Sequence, residues 1–178
     1  YIDAFRRIGV KMQGAKRQYY KVLSPFSIDV NGSVMSVEPA TNLQYDCTID
    51  FSNSKAIGKQ HFFLDFSTTN FLQIADARTF CHMRDVEAMR KVGLAIGGSL
   101  DNAVVVNDHE VLNAEGLRHP NEFVRHKLLD LVGDLALLGK PLIGKVTTYR
   151  GGHALHATFM RQLLEVKTEH LKIVDFDS

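Results

Sequence analysis

The chain has 178 residues, 45% apolar and 23% charged, enough for one core-bearing domain of ordinary soluble composition. Its formal charge of +1 leaves out the basic excess that phosphate-tracking proteins carry, so no nucleic-acid partner is expected. The two cysteines, Cys47 and Cys81, make no disulfide framework and fit a reducing cytoplasm, and no apolar run reaches the ~20 residues of a transmembrane segment.

Asp3 to Gly9 reads as the tail of a helix stopped by glycine. Gln18 to Leu23 and Phe26 to Val30 are strand candidates rich in aromatic and β-branched residues. Asn31-Gly32 tolerates positive φ and predicts a hairpin turn into a strand at Ser33 to Val37. Leu43 to Phe51 alternates as a half-buried strand should, with Leu43, Tyr45, Cys47, Ile49 and Phe51 on one face. His61 to Phe66 is another strand. Ser67-Thr68-Thr69 then predicts an N-cap for a helix through Ala75. Arg84 to Val92 reads as a second helix ended near Gly93, Leu94 to Ser99 as a glycine-containing connection, and Ala103 to Val106 as a buried strand. The strongest helical pattern runs from Asn121 to Leu138, with Gly139 and Pro141 as stop signals. A strand at Ile143 to Tyr149 follows, and Gly151-Gly152 leads into a final helix from His153 to about Val166. Strands lead and helices mix in later. That order predicts an α+β fold of two layers, with helices packed on a mostly antiparallel sheet.

The sharpest chemical signal lies in the long helix. His126, Asp130 and Asp134 are spaced i, i+4, i+8, which puts them in one slowly drifting row. Imidazole and carboxylate one turn apart can chelate a divalent metal from a rigid element, and the pair suits zinc. The same spacing fits a hydrogen-bonded pair at a helix edge. Asp130 and Asp134 are like charges one turn apart, unfavourable unless something positive compensates them.

The second signal is Tyr149-Arg150-Gly151-Gly152-His153. Two glycines before a helix let the backbone turn sharply and present a histidine into a cleft, where imidazole can serve as a general acid. The stretch also fits a plain loop with a histidine cap. In Ala77-Arg78-Thr79-Phe80-Cys81, the Thr79 hydroxyl can donate to a developing oxyanion; by composition the stretch is an element boundary. Gly97-Gly98-Ser99 lacks the pattern of a nucleotide-hydrolysing P-loop.

Together these stretches resemble the UDP-3-O-acyl-N-acetylglucosamine deacetylase family (LpxC). The similar segments are Ala77-Arg78-Thr79-Phe80, Gly97-Gly98-Ser99, Val111-Leu112-Asn113 with Glu115-Gly116-Leu117-Arg118, Phe123 to Lys127 through Asp130, Gly133-Asp134-Leu135, and Gly152-His153-Ala154-Leu155. The resemblance implies a zinc-dependent deacetylase of lipid A synthesis acting on a UDP-linked acylated amino sugar in the cytoplasm. It gives His126 and Asp130 as two of three zinc ligands. By the same resemblance, His153 matches the histidine that stabilises the oxyanion and protonates the leaving amine, and Asp134 the carboxylate that orients and charges it. Thr79 matches the hydroxyl near the tetrahedral intermediate, Lys127 a substrate-contacting lysine, and Phe80 a residue near the metal. A small βαβ-like insert at about 81–106 forms an apolar acyl passage lined by Val86, Ala95, Ser99, Asn102 and Val105.

The resemblance further implies that residues 1–15 are an inter-domain linker and helix end, and that 16–178 are the C-terminal domain. The family's third ligand, a histidine beside a glutamate base, has no counterpart here, since the only Glu-His pair is Glu169-His170. Both are expected from a missing N-terminal domain, which would be the chain's partner. His82 replaces a usual aromatic of the acyl passage, Ser33 stands where some members carry a substrate-binding lysine, and His156 replaces an asparagine. The alternatives are a non-catalytic half-domain for association and a metal amidohydrolase on a different N-acetyl substrate.

Overall fold

The computed structural model describes residues 2–9, 11, 13–66, 71–91, 93 and 102–176. The first helix, α1 (Ile2–Ile8), stops at Gly9, whose φ of +81° and N–H bond to the Phe5 carbonyl form the left-handed end that glycine permits. Five strands follow: β1 (Arg17–Val22), β2 (Phe26–Val30), β3 (Ser33–Glu38), β4 (Leu43–Phe51) and β5 (Gly58–Asp65). Asn31 and Gly32 both take positive φ, 54° and 76°, and close β2 onto β3 as the two-residue turn that the sequence predicts. β5 begins three residues before the expected His61.

Among the described residues, the expected helix through Ala75 does not appear as an α-helix. Its proposed cap, Ser67 to Thr69, lies outside the described residues, and only a single 3-10 turn occupies Phe71–Gln73. The backbone bonds Ile74 N–H to Phe71 O and Ala77 N–H to Ile74 O are the short-range type. Ile74 is fully buried there, so the chain turns tightly to plant it rather than winding on.

Three elements make the expected insert: β6 (Thr79–His82), α2 (Met83–Lys91) and β7 (Ala103–Val106). β6 and β7 pair in parallel, from Thr79↔Ala103 to His82↔Val106, completing a βαβ unit. The sequence reads β6 as a boundary because four residues show too little alternation to declare a strand. The rest of the chain is α3 (Glu122–Leu135), a 3-10 turn at Ala136–Leu138 ended by Gly139 (φ 77°), β8 (Leu142–Tyr149), α4 (His153–Glu165), α5 (Lys167–His170) and β9 (Leu171–Phe176). α5 and β9 carry no signal that the sequence analysis uses.

β8 is the centre of the main sheet. It takes β1 in parallel at Leu142 and Ile143, then β3 antiparallel over Lys145 to Tyr149. β4 pairs in parallel with Gly144 to Tyr149, so it must lie on the opposite edge from β3. β9, β2 and β5 extend the sheet beyond β1, β3 and β4. Among the described residues, four of these six pairings are antiparallel, as expected.

Gly144 sits where β8 changes partner from β1 to β3. A Cβ there would stand 2.6 Å from Val22 Cγ2 and 2.9 Å from the Glu38 carbonyl oxygen. Because one of these contacts is backbone, Gly144→Ala is expected to lower stability by about 1–3 kcal/mol through overpacking. A urea titration should show a lower midpoint at unchanged m-value.

Helices α3 and α4 cover one face of this sheet. Met35, Val37, Tyr45, Cys47, Ile49, Leu64 and Val146 from the strands are buried with Phe123, Leu128 and Leu131 of α3 and Phe159 and Leu163 of α4. Phe123 and Phe159 are fully buried, and each such side chain contributes roughly 1.5–3 kcal/mol by burial. Burial pushes the Cys47 thiol up to about 12, which suits a packing role rather than a nucleophile. Alternate positions on β4 and β8 carry charge: Asp46 bonds His61 Nε2 at 2.7 Å and Lys145 Nζ at 3.1 Å.

Candidate active site

A buried ion network fixes β6 against the start of α3. Arg78 is 5% exposed, and its Nε donates to Glu122 Oε1 at 2.9 Å. Its Nη1 reaches Glu115 Oε1 at 2.6 Å, and its Nη2 reaches the Gly116 carbonyl at 2.7 Å. The Arg78 and Arg118 backbone N–H groups also donate to the Glu122 carboxylate, at 2.9 and 2.6 Å. Burial pushes Glu122 up, but the Arg78 and backbone hydrogen bonds outweigh it and hold the carboxyl below its usual value. A carboxylate in the first turn also complements the helix dipole. The result is a rigid junction between Ala77-Arg78-Thr79 and the helix that carries the histidine-aspartate row.

That junction orients His126. Its Nδ1 lies 3.2 Å from the Ala77 carbonyl oxygen. A carbonyl only accepts, so Nδ1 carries the hydrogen, and in the neutral ring Nε2 is the nitrogen able to bind a metal. Nε2 lies 3.4 Å from Asp130 Oδ1, and both side chains are 16% exposed. A backbone carbonyl that fixes the tautomer is how metal-binding histidines are commonly held. The donor set therefore fits a divalent cation such as zinc, with two ligands from one helix. Lys127 Nζ lies 3.1 Å from Asp130 Oδ2 and 5.7 Å from the centroid of the Phe80 ring. So Lys127 supplies the positive charge that the row of carboxylates needs.

One turn further along α3, Asp134 meets the start of α4. Arg150 turns the chain with a left-handed φ of 54°, and Gly152 is extended before the first helical residue, His153. His153 Nδ1 donates to Asp134 Oδ2 at 2.7 Å, with the imidazole 68% exposed. His156, one turn on, donates from its own Nδ1 to the same oxygen at 2.7 Å and is 1% exposed. Burial pushes Asp134 up, yet the hydrogen bonds from His156 and His153 hold it below the usual carboxylate range. Burial also dominates at His156, lowering its pKa against the upward pull of Asp134.

Among the described residues, Asp134, His153 and His156 are a second group able to hold a metal, their ligand atoms within 4.8 Å of one another. Both rings point a hydrogen at the carboxylate, however, so the cluster is a complete hydrogen-bonded triad. His126 instead presents a lone pair.

Thr79 opens β6 and is exposed. Phe80 stacks edge-on against Phe123, Phe51 and His126, with ring centroids at 5.0, 5.7 and 6.3 Å. The insert holds Val105 buried in β7, Val86 half-buried on α2 and Asn102 exposed before β7. Ala95 and Ser99 lie outside the described residues, as does the rest of Leu94 to Ser99. His82 Nδ1 is 3.7 Å from Asp108 Oδ1, and Ser33 is the first residue of β3. A groove of about 650 Å³ runs past Tyr19, Tyr45, Phe66 and Pro141, and none of the candidate residues lines it. His156 is the residue that sequence reasoning left without a role. Its signal was the i, i+3 spacing from His153, which places both rings on one face of α4.

The sequence model of the UDP-3-O-acyl N-acetylglycosamine deacetylase family matches residues 1–165. The chain is 42% identical to the UDP-3-O-acyl-N-acetylglucosamine deacetylase of Acidithiobacillus ferrooxidans over 94% of its own length and 56% of that protein's. It is 39% identical to the deacetylase of the same name from Psychrobacter arcticus, over 99% of the chain and 56% of the relative. For the one from Myxococcus xanthus the figures are 43%, 88% and 50%. The chain thus spans about half the length of the curated relatives it matches.

Proposed function

The chain belongs to the UDP-3-O-acyl N-acetylglycosamine deacetylase family, and from that premise we propose that the protein hydrolyses the N-acetyl group of a UDP-3-O-acyl-N-acetylglucosamine in the cytoplasm. The reaction releases acetate and commits the amino sugar to lipid A synthesis. Residues 16–178 are the C-terminal domain and supply half of the site. The observation that carries the reading is the pairing of Asp134 with His153 at 2.7 Å, one turn along α3 from Asp130 and two from His126.

His126 and Asp130 would hold zinc, with a third ligand from residues outside these 178. When bound, zinc supplies Lewis-acid chemistry for the acetamide. Asp134 accepts the hydrogen bond from His153 Nδ1–H, which leaves Nε2 to carry the proton that the departing amine needs. The same protonated ring and the Thr79 hydroxyl donate to the oxygen on which charge develops. Phe80 packs against His126 and limits water around it. Val86, Asn102 and Val105 line the acyl passage, and Lys127 contacts the substrate. The glutamate base, like the third ligand, comes from outside this chain.

The test is a direct assay of the full-length protein on the acylated and the non-acylated UDP-N-acetylglucosamine. Acetate release from the acylated substrate alone is expected. Equal turnover of both would exclude the acyl passage, and release from neither would exclude the reaction.

A further inference from the structure

Two buried polar atoms near the site have no role in the chemistry above. Thr148 Oγ1 in β8 and Nε2 of His156 in α4 are enclosed by protein, and neither has a hydrogen-bond partner. They border the same space, because a Cβ on Gly151 would stand 2.2 Å from Oγ1 and 2.9 Å from Nε2. Gly151 therefore leaves room for the inner edge of the His156 ring. The outer edge is fixed by the 2.7 Å bond from Nδ1 to Asp134 Oδ2, the oxygen that His153 also uses. A fully buried imidazole with one unpartnered nitrogen is costly where leucine would pack, so its polar edge calls for a reason.

We propose that His156 is a positioning residue: its Nδ1–H anchors Asp134 from the buried side, so that the carboxylate stays turned to His153 on the exposed side. This rests on the reading of His153 as the proton donor. Without His156, Asp134 would keep only a partner whose ring is 68% exposed, where water competes for the same oxygen. The charged or titratable groups around His156 are Asp134 and Asp130 on α3 and His153 on its own helix; β8 contributes Thr148, which does not titrate. Burial holds His156 below its ordinary value of 6.5, so near neutral pH the inner ring is uncharged and adds no repulsion to a protonated His153.

Two measurements on the full-length protein test this. In ¹⁵N-histidine NMR, with His156 assigned from His156→Asn, the ring is expected as the neutral Nδ1–H tautomer at neutral pH and above. An Nε2–H tautomer would overturn the anchor. This readout needs no turnover, so it decides the anchor even if wild-type protein fails to deacetylate and the functional reading falls. In kinetics, His156→Leu is expected to lower kcat about tenfold to a hundredfold at unchanged KM. His156→Asn, whose side-chain amide can still donate to Asp134, is expected to recover most of that loss. If both variants match wild type, or both lose equally in step with their melting temperatures, His156 is packing only and the proposal is wrong.

Discussion

Replacing His126 with alanine in the full-length protein is expected to remove stoichiometric zinc and to lower deacetylation by about a thousandfold. The reasoning starts from the tautomer. Ala77 O holds the Nδ1 hydrogen, so the ring offers Nε2 as a lone pair toward Asp130. Alanine leaves one carboxylate on the helix, and that carboxylate already has Lys127 at 3.1 Å. A single carboxylate neutralised by lysine is a poor zinc ligand, so the metal should be lost rather than merely shifted. Lewis-acid assistance is worth several kcal/mol, and about 4 kcal/mol corresponds to the thousandfold loss. Metal analysis of purified protein is the direct check. Full zinc content in His126→Ala would move the centre to the Asp134, His153 and His156 group.

Much of this site was legible because it is written on one helix. The i, i+4, i+8 spacing of His126, Asp130 and Asp134 survives any error in helix ends, since α3 ends at Leu135 and the row lies inside it. The hairpin at Asn31-Gly32 and the strand at Leu43–Phe51 were legible for a similar reason: each depends on local backbone chemistry. What stayed hidden depends on partners far apart in sequence. β6 is a strand because β7 pairs with it, and β9 because β1 does. The loop before β6 winds no helix because Ile74 must be buried. His156 belongs with these. Its spacing from His153 was visible, but its burial on Asp134 depends on how α3 and α4 pack, the two side chains being 22 positions apart in sequence.

Asp134→Asn and His153→Ala are expected to lower kcat by about a hundredfold to ten-thousandfold at nearly unchanged KM and unchanged zinc content. Zinc content separates them from His126→Ala, which loses the metal as well. The two substitutions should differ in stability. The His153 ring is 68% exposed, so its removal costs little packing. Asp134 is hydrogen-bonded by a buried imidazole, and asparagine must then accept two N–H donors without charge. The carboxylate's lowered pKa fixes the sign of its pH dependence. Its contribution to stability is present above the ordinary value of 3.8 and is lost as pH falls through the lower folded value. The melting temperature of Asp134→Asn should therefore lie below that of wild type at neutral pH and converge with it in acid. In the double variant the two losses in kcat should not add, because each removes the same protonated imidazole. Additive losses would mean that Asp134 acts on the reaction by a route other than His153, and the proton-donor assignment would fail.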